Sequence, residues 1–184
     1  DIGRLAEYDA LFIRIVTGLE APAFAFAQRA QALGIPVIDT PHAILRCSNK
    51  VFLYELFRKN GVAMPRTMTL SRKGGVQTAL ELGLPLILKV PDGTFSNAVK
   101  KARDLDELET IARDMFKQSS LLIAQEYIPT AFDWRVCVLD GKVLFVAKYH
   151  MVKDHWQIAQ RSAEGRLRFG RAEAIAVAAT PPAV

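Results

Sequence analysis

The sequence predicts a short α/β unit followed by a longer α+β segment. Three observations carry this. The first forty residues read strand, helix, strand, the pattern of a parallel βαβ unit. The remainder alternates apolar runs of strand length with two amphipathic helical stretches. An Asp140-Gly141 step then joins two long apolar runs, the signal of a tight hairpin and of antiparallel pairing.

Residues 9–16 (DALFIRIV) read as a buried strand. Pro22 opens a helical stretch that Gly34 closes, with the proline in the first turn and the glycine past the end. Residues 35–38 form a second short strand, and the unit reads as the tail of a larger α/β domain, with the division at residues 40 and 41. Ser48 is expected to cap a helix over 49–60, with Gly61 as its stop. Val51, Leu53, Tyr54, Leu56 and Phe57 give that helix one apolar face. Residues 64–70 suit a strand, 74–82 a helix and 84–90 a strand, with 99–102 returning antiparallel to it. Asp104 and Glu107 stand at capping-box spacing. They open a helix with Leu105, Leu108, Ile111, Ala112, Met115 and Phe116 on one side. Residues 121–128 (LLIAQEYI) are a strand, and 133–139 with 143–151 form the hairpin. Beyond Met151 the pattern weakens, and AIAVAATPPAV suits one more strand and a loop.

Composition bounds the function. Half of the 184 residues are hydrophobic and about a quarter charged, as in ordinary globular proteins, and no apolar run approaches a membrane span. Cys47 and Cys137 stand far apart in no metal-ligand spacing, which suits two reduced thiols in a cytoplasmic protein. The histidines His42, His150 and His155 do not supply a metal site either. The net charge of +5 allows a polyanionic partner. Nucleoside triphosphates, acidic metabolites and nucleic acid all fit it. The basic residues after Asp140 form no consecutive run and do not interleave with aromatics, so a solvated face is favoured over a nucleic-acid face.

The informative stretch is LPLILKVPDGTFSNAVKKA. An aliphatic strand ends on Lys89 and runs into a loop of small and polar residues, longer than a hairpin needs. A lysine at a strand end can meet a phosphate oxygen as a point charge, and small loop residues let backbone N–H groups approach phosphates. Lys50 at a helix start, QEYIP at a strand end and the alternating pair Asp133 and Arg135 complete the set. Each has an ordinary structural use when taken alone; their order carries the argument.

That order resembles the ATP-grasp superfamily, and within it the RimK-type α-L-glutamate ligases. The stretches that carry it are ILRCSNKVFLYELFRKNGVAMPRT, LILKVPDGTFSNAV, LLIAQEYIPTAFDWRVCVLDGKVLFVAKYH and HWQI. The resemblance implies an ATP-grasp fold of two α+β lobes holding ATP, with residues 1–40 as the end of a preceding α/β domain and 41–184 as an incomplete ATP-grasp domain. It implies residue roles as well. Lys50 and Lys89 match the two phosphate lysines. Gly93, Thr94 and Ser96 lie in the flap. Glu126, Tyr127 and Ile128 match the adenine hinge, with a carboxylate near the ribose. Asp133 and Arg135 match an Asp-x-Arg pair beside the phosphates, and Lys148 a basic residue near the reacting phosphate. Trp156 and Gln157 fall where an acceptor site is lined.

The implied chemistry is a C–N ligation in which ATP phosphorylates a carboxylate and an amine attacks the acyl phosphate. The expected partners are ATP and carboxylate and amine substrates, small molecules or peptides, glutamate among them. No membrane partner is expected, nucleic acid is disfavoured, and a homo-oligomer is allowed. The sequence departs from the family in the flap, where Ser96 and Ala98 replace common glycines. The Asp, Glu and Asn that bind magnesium in the family have no match before Val184, so those ligands are expected outside this chain. The alternatives are a nucleotide-binding module without ligase activity and a basic nucleic-acid-binding protein.

Overall fold

A computed structural model describes residues 1–19, 21–93, 98–162 and 165–184. The chain divides into two compact units, Asp1–Tyr127 and Ile128–Val184.

The first unit opens with a 3-10 turn, Ile2–Glu7, then β1 (Leu11–Phe12), α1 (Pro22–Ala32) and β2 (Val37–Ile38). β1 and β2 pair in parallel, Leu11 opposite Val37, so the expected βαβ unit is present. The expected buried strand over 9–16 is not: it shrinks to two residues, and Phe12, Ile15 and Val16 are all exposed. β1 has β2 as its strand neighbour, and a two-stranded ribbon cannot bury both faces of an apolar run. α1 buries Ala23, Ala27 and Ala30, small residues that allow close packing.

Two helices follow, α2 (Pro41–Ser48) and α3 (Lys50–Lys59). The Thr40 hydroxyl caps α2 by accepting from the Ala43 N–H. The cap of α3 is Asn49, not the expected Ser48. The Asn49 backbone is extended, and its Oδ1 accepts from Val51 and Phe52 N–H at 3.0 and 3.1 Å. Ser48 closes α2 instead, donating its hydroxyl to the Ile44 carbonyl. A break of one residue separates the helices, and the side chain at the break takes the cap.

The centre of the unit is a four-stranded antiparallel sheet of β3 (Thr67–Ser71), β4 (Leu86–Lys89), β5 (Val99–Ala102) and β6 (Leu121–Glu126), in the order β3-β6-β4-β5. One face carries Met68, Leu70, Leu86, Leu88, Ala102, Leu122 and Ala124. They pack on Leu108, Ala112, Met115 and Phe116 from α4 (Leu105–Met115) and its C-terminus, and on Ala79 and Leu82. Ala79 and Leu82 lie on a 3-10 helix, Gln77–Leu82, where an α-helix over 74–82 was expected; Gly74 and Gly75 delay its start, Gly75 at φ 73°. The α4 cap follows the sequence. Asp104 accepts from the Glu107 N–H at 2.8 Å, while Glu107 reaches back to the Arg103 N–H at 2.9 Å.

The second unit is built on β7 (Phe132–Leu139) and β8 (Lys142–His150), joined across Asp140 and Gly141. Both turn residues have positive φ, 50° and 69°, as a type I′ turn requires. β11 (Ala172–Ile175) adds antiparallel to the other edge of β8, giving the order β11-β8-β7. β9 (Ala159–Arg161) and β10 (Leu167–Phe169) form a separate small hairpin that the sequence pattern did not reveal. The final apolar run supplies part of β11 and a 3-10 turn, Val177–Ala179, as one strand and a loop. Val146, Ala147 and Val152 are the buried apolar residues among those described here.

Candidate functional site

The face of the four-stranded sheet turned away from α4 is chemically mixed. Register places Thr67, Gln125, Ile87 and Lys101 in one row across β3, β6, β4 and β5, and Thr69, Ile123, Lys89 and Val99 in the next. Because side chains alternate along strands, all eight share this face. Lys89 donates from Nζ to Gln125 Oε1 at 2.6 Å. Gln125 Nε2 donates to Thr67 Oγ1 at 2.8 Å, and Thr67 donates on to the Pro65 carbonyl at 2.7 Å. This chain fixes the orientation of the Gln125 amide and holds the lysine head at the sheet. Ile87 and Ile123 beneath it are buried. Tyr127, of the same parity as Ile123 and Gln125, follows the end of β6, and Lys101 Nζ lies 4.3 Å from its ring centroid.

Beyond Lys89 the chain turns at 91–93 and meets the start of α3. The Lys50 N–H donates to the Pro91 carbonyl at 3.0 Å. Lys50 Nζ donates to the same carbonyl at 3.2 Å and also to the Gly93 carbonyl. Asn49 Nδ2 donates to Asp92 Oδ1 at 2.8 Å. Burial lowers the Lys50 pKa, an effect that Asp92 partly opposes. Gly93 is required by proximity: a Cβ there would stand 2.6 Å from that of Ala98, across arms tied by the Val90 N–H to the Ala98 carbonyl. Thr94 and Ser96 lie outside the described residues.

Not every expected residue joins this face. Glu126 pairs with Leu86 in register, so its carboxylate emerges on the α4 side. There it accepts from the Arg66 N–H at 2.7 Å and from Arg66 Nε at 2.9 Å. The backbone bond first, and then the guanidinium, hold its pKa below the usual carboxylate value. Arg66 also reaches the Glu81 and Leu82 carbonyls, so the carboxylate ties β6 to the 3-10 helix. Ile128 begins the second unit and is exposed.

In the second unit Asp133 and Arg135 share one face of the β7–β8–β11 sheet with Tyr149, and the Arg135 guanidinium lies 5.0 Å from the Tyr149 ring centroid. Lys148 lies on the opposite face. Its ammonium stands 4.6 Å from the Phe132 ring and 5.0 Å from the Trp134 ring. Arg135, expected beside the phosphates, and Lys148, expected near the reacting phosphate, thus lie on opposite faces of the sheet. Beside Lys148, Glu173 accepts from Arg171 at 2.8 Å and lies 3.0 Å from His150, which lowers the Glu173 pKa. Gln157 Oε1 lies 3.3 Å from His155 Nε2.

Lys101, and the partnership of Lys89 with Gln125, were not singled out from sequence as site features. The signal was available: pairing Lys89 with Val99 in the β4–β5 hairpin puts Lys101 on the same face. Among the described residues no three His, Cys, Asp or Glu side chains converge to hold a metal ion. No described helix is long and apolar enough to cross a membrane. What the first unit offers is a sheet face with two lysines, amide and hydroxyl groups, and an aromatic ring at one end. Such a face suits an anionic, partly aromatic ligand.

Comparison with known proteins agrees with this architecture. The chain is 28% identical over 148 residues to a probable alpha-L-glutamate ligase of Psychromonas ingrahamii, covering 78% of this chain and 49% of that protein. It is 28% identical over 134 residues to the alpha-aminoadipate–LysW ligase LysX of Saccharolobus solfataricus, covering 69% of this chain and 48% of that one. The chain therefore spans about half the length of these relatives. In structure it resembles D-alanine–D-alanine ligase from Bacillus anthracis, with a TM-score of 0.72 at 19% identity, over 95% of this chain and 56% of that chain. It also resembles the RimK-domain ATP-grasp protein of Sphaerobacter thermophilus, with a TM-score of 0.61 at 18% identity, over 70% of this chain and 50% of that one. These likenesses identify an ATP-grasp α+β fold. The model of the RimK-like ATP-grasp domain matches residues 47–158, more than half of the chain and every stretch that builds the lysine-bearing sheet, and by that match the chain belongs to the RimK-like ATP-grasp family.

Proposed function

We propose that this chain is the nucleotide-binding part of an ATP-dependent carboxylate–amine ligase. In the reaction the γ-phosphoryl group moves from ATP to a carboxylate oxygen, giving ADP and an acyl phosphate. An amine then attacks the acyl carbon, and phosphate leaves as the amide forms. The observation that carries this reading is Lys89, held by Gln125 on the face of the sheet turned away from α4, in a chain of this family. Lys89 meets the phosphates, and Lys50 and Gly93 shape the root of the loop that follows. Tyr127 and Ile128 present backbone to the adenine. Glu126 acts there through its backbone alone, because its carboxylate is committed to Arg66. Thr94 and Ser96 are assigned to the loop over the phosphates. Asp133 and Arg135 act from one face of the second sheet and Lys148 from the other, so Lys148 is a weaker candidate for direct phosphate contact.

The relatives suggest the substrate class. Their names give glutamate or α-aminoadipate as the amino acid and LysW as a partner, so an amino acid joined to a peptide or protein is the reading carried over. ATP is supported by family membership and by a fold relative, D-alanine–D-alanine ligase, solved as a complex with ATP. We assign residues 1–40 to the preceding α/β domain and 41–184 to the ATP-grasp domain. Two free thiols, Cys47 and Cys137, suit a cytoplasmic setting.

The test is a thermal-shift titration of the native chain and of Lys89→Ala with ATP. A ligand that binds the folded state raises the melting temperature with the logarithm of its concentration. The native chain is expected to shift and Lys89→Ala to lose the shift while melting near the native temperature. No shift in the native chain overturns the reading.

A further inference from the structure

Three hydrogen bonds across the lysine-bearing face run in one direction. Lys89 Nζ donates to Gln125 Oε1, Gln125 Nε2 donates to Thr67 Oγ1, and the Thr67 hydroxyl donates to the Pro65 carbonyl. All three side chains are half-buried. A hydroxyl carries one proton, and a carbonyl only accepts. With its proton committed to Pro65, Thr67 meets Gln125 as an acceptor. That draws the amide nitrogen toward β3 and leaves the amide oxygen toward Lys89. A reversed amide would set its NH2 against the ammonium group, donor against donor, and its oxygen against a hydroxyl whose proton points elsewhere.

We infer that Thr67 is a positioning residue for nucleotide binding: it sets the Gln125 amide and, through it, the lysine head that meets the phosphates. This inference rests on the nucleotide reading above. Thr67 stands on β3 and Lys89 on β4, with β6 between them. The two strands are therefore about 10 Å apart, and the hydroxyl acts through Gln125. Pro65 and Thr67 are two residues apart, so the direction of the chain of bonds is set locally, at the start of β3. A lysine ammonium rides on a flexible four-carbon stem. A fixed acceptor narrows the positions it takes before a ligand arrives, which lowers the ordering cost of binding.

The test is calorimetric titration of the 184-residue chain with ATP, on the native sequence, Thr67→Val, Thr67→Ser, Gln125→Leu and the double variant Thr67→Val with Gln125→Leu. Valine keeps the branching and strand preference of threonine and removes the hydroxyl. Thr67→Val is expected to weaken ATP binding about fivefold, the worth of one net hydrogen bond. Thr67→Ser keeps the hydroxyl and should bind as the native chain does. In the Gln125→Leu background, Thr67→Val should cause no further loss, as expected of a residue that acts through another. Native affinity in Thr67→Val overturns the inference. So does an undiminished further loss in the double variant, since Thr67 would then act by another route. Both of these outcomes leave the nucleotide reading intact. If Thr67→Val does not fold, Thr67→Ala takes its place in both comparisons. If the native chain binds no ATP, the nucleotide reading and this inference fall together.

Discussion

Leu88 and Lys89 are neighbours in β4 and belong to different chemistries. Leu88 is fully buried against the α4 side, in a cluster of aliphatic, methionine and aromatic side chains. Lys89 points the other way, into a row of threonine, glutamine and lysine side chains over two isoleucines. The first face repeats what any half-buried sheet does to exclude water. The second departs from it, because polar groups over a buried apolar floor are kept only when they hold each other or a ligand. Stability and binding are therefore expected to separate across a single peptide bond.

The largest expected effect tests the packed face. Leu88→Ala should cost about 2–5 kcal/mol, the range for deleting a buried leucine, and urea unfolding reads it. Lys89→Ala should cost clearly less, since it removes a half-exposed polar side chain and leaves the packed face intact. Equal losses in the two variants would dissolve the distinction between the faces. Asp104→Ala, at the α4 cap, should cost about 1 kcal/mol and leave nucleotide binding alone. A smaller effect sharpens the binding face. Gln125→Leu removes the amide oxygen to which Lys89 donates, and nucleotide affinity should fall by less than in Lys89→Ala, as the charge remains.

The smallest effect concerns pH. Glu126 has its pKa depressed in the folded state by Arg66, so it binds fewer protons folded than unfolded at mild acidity. Its contribution is fully present above the unfolded value of about 4.3 and is lost as pH falls through the depressed folded value. Glu126→Gln should flatten that part of the stability–pH curve, with nucleotide affinity at pH 7 unchanged. A loss of affinity would return the carboxylate to the ligand side.

Local signals were legible in the sequence and long-range registers were not. The Asp140-Gly141 turn, the Asp104 cap and the strand that ends on Lys89 each follow from neighbours in the chain, and each is where the sequence puts it. Ser48 and Asn49 are both good capping residues. What selects Asn49 is distant, since its amide also reaches Asp92. The division of Arg135 from Lys148 comes from a bulge between Cys137 and Val138. Near the turn Leu139 faces Lys142 and Val138 faces Val143; past the bulge Cys137 faces Phe145. Without that extra residue Asp133 would lie opposite Lys148, and the cations would share a face. One residue of slip reverses a face, and no periodicity in the sequence announces it. Glu126 shows the same limit, because its side follows from pairing with Leu86, forty residues away.

Asn49 holds the first turn of α3 with its oxygen and the turn at Asp92 with its nitrogen, through one planar group. That makes its side-chain amide a built-in gauge. In a nuclear magnetic resonance spectrum its two NH2 protons are resolved by their inequivalent partners. Any rearrangement at Asp92 that breaks its bond to the amide changes the surroundings of one NH2 proton, and moves those signals. The chain thus carries its own label for events at the root of the loop, with no probe to attach and no residue to replace.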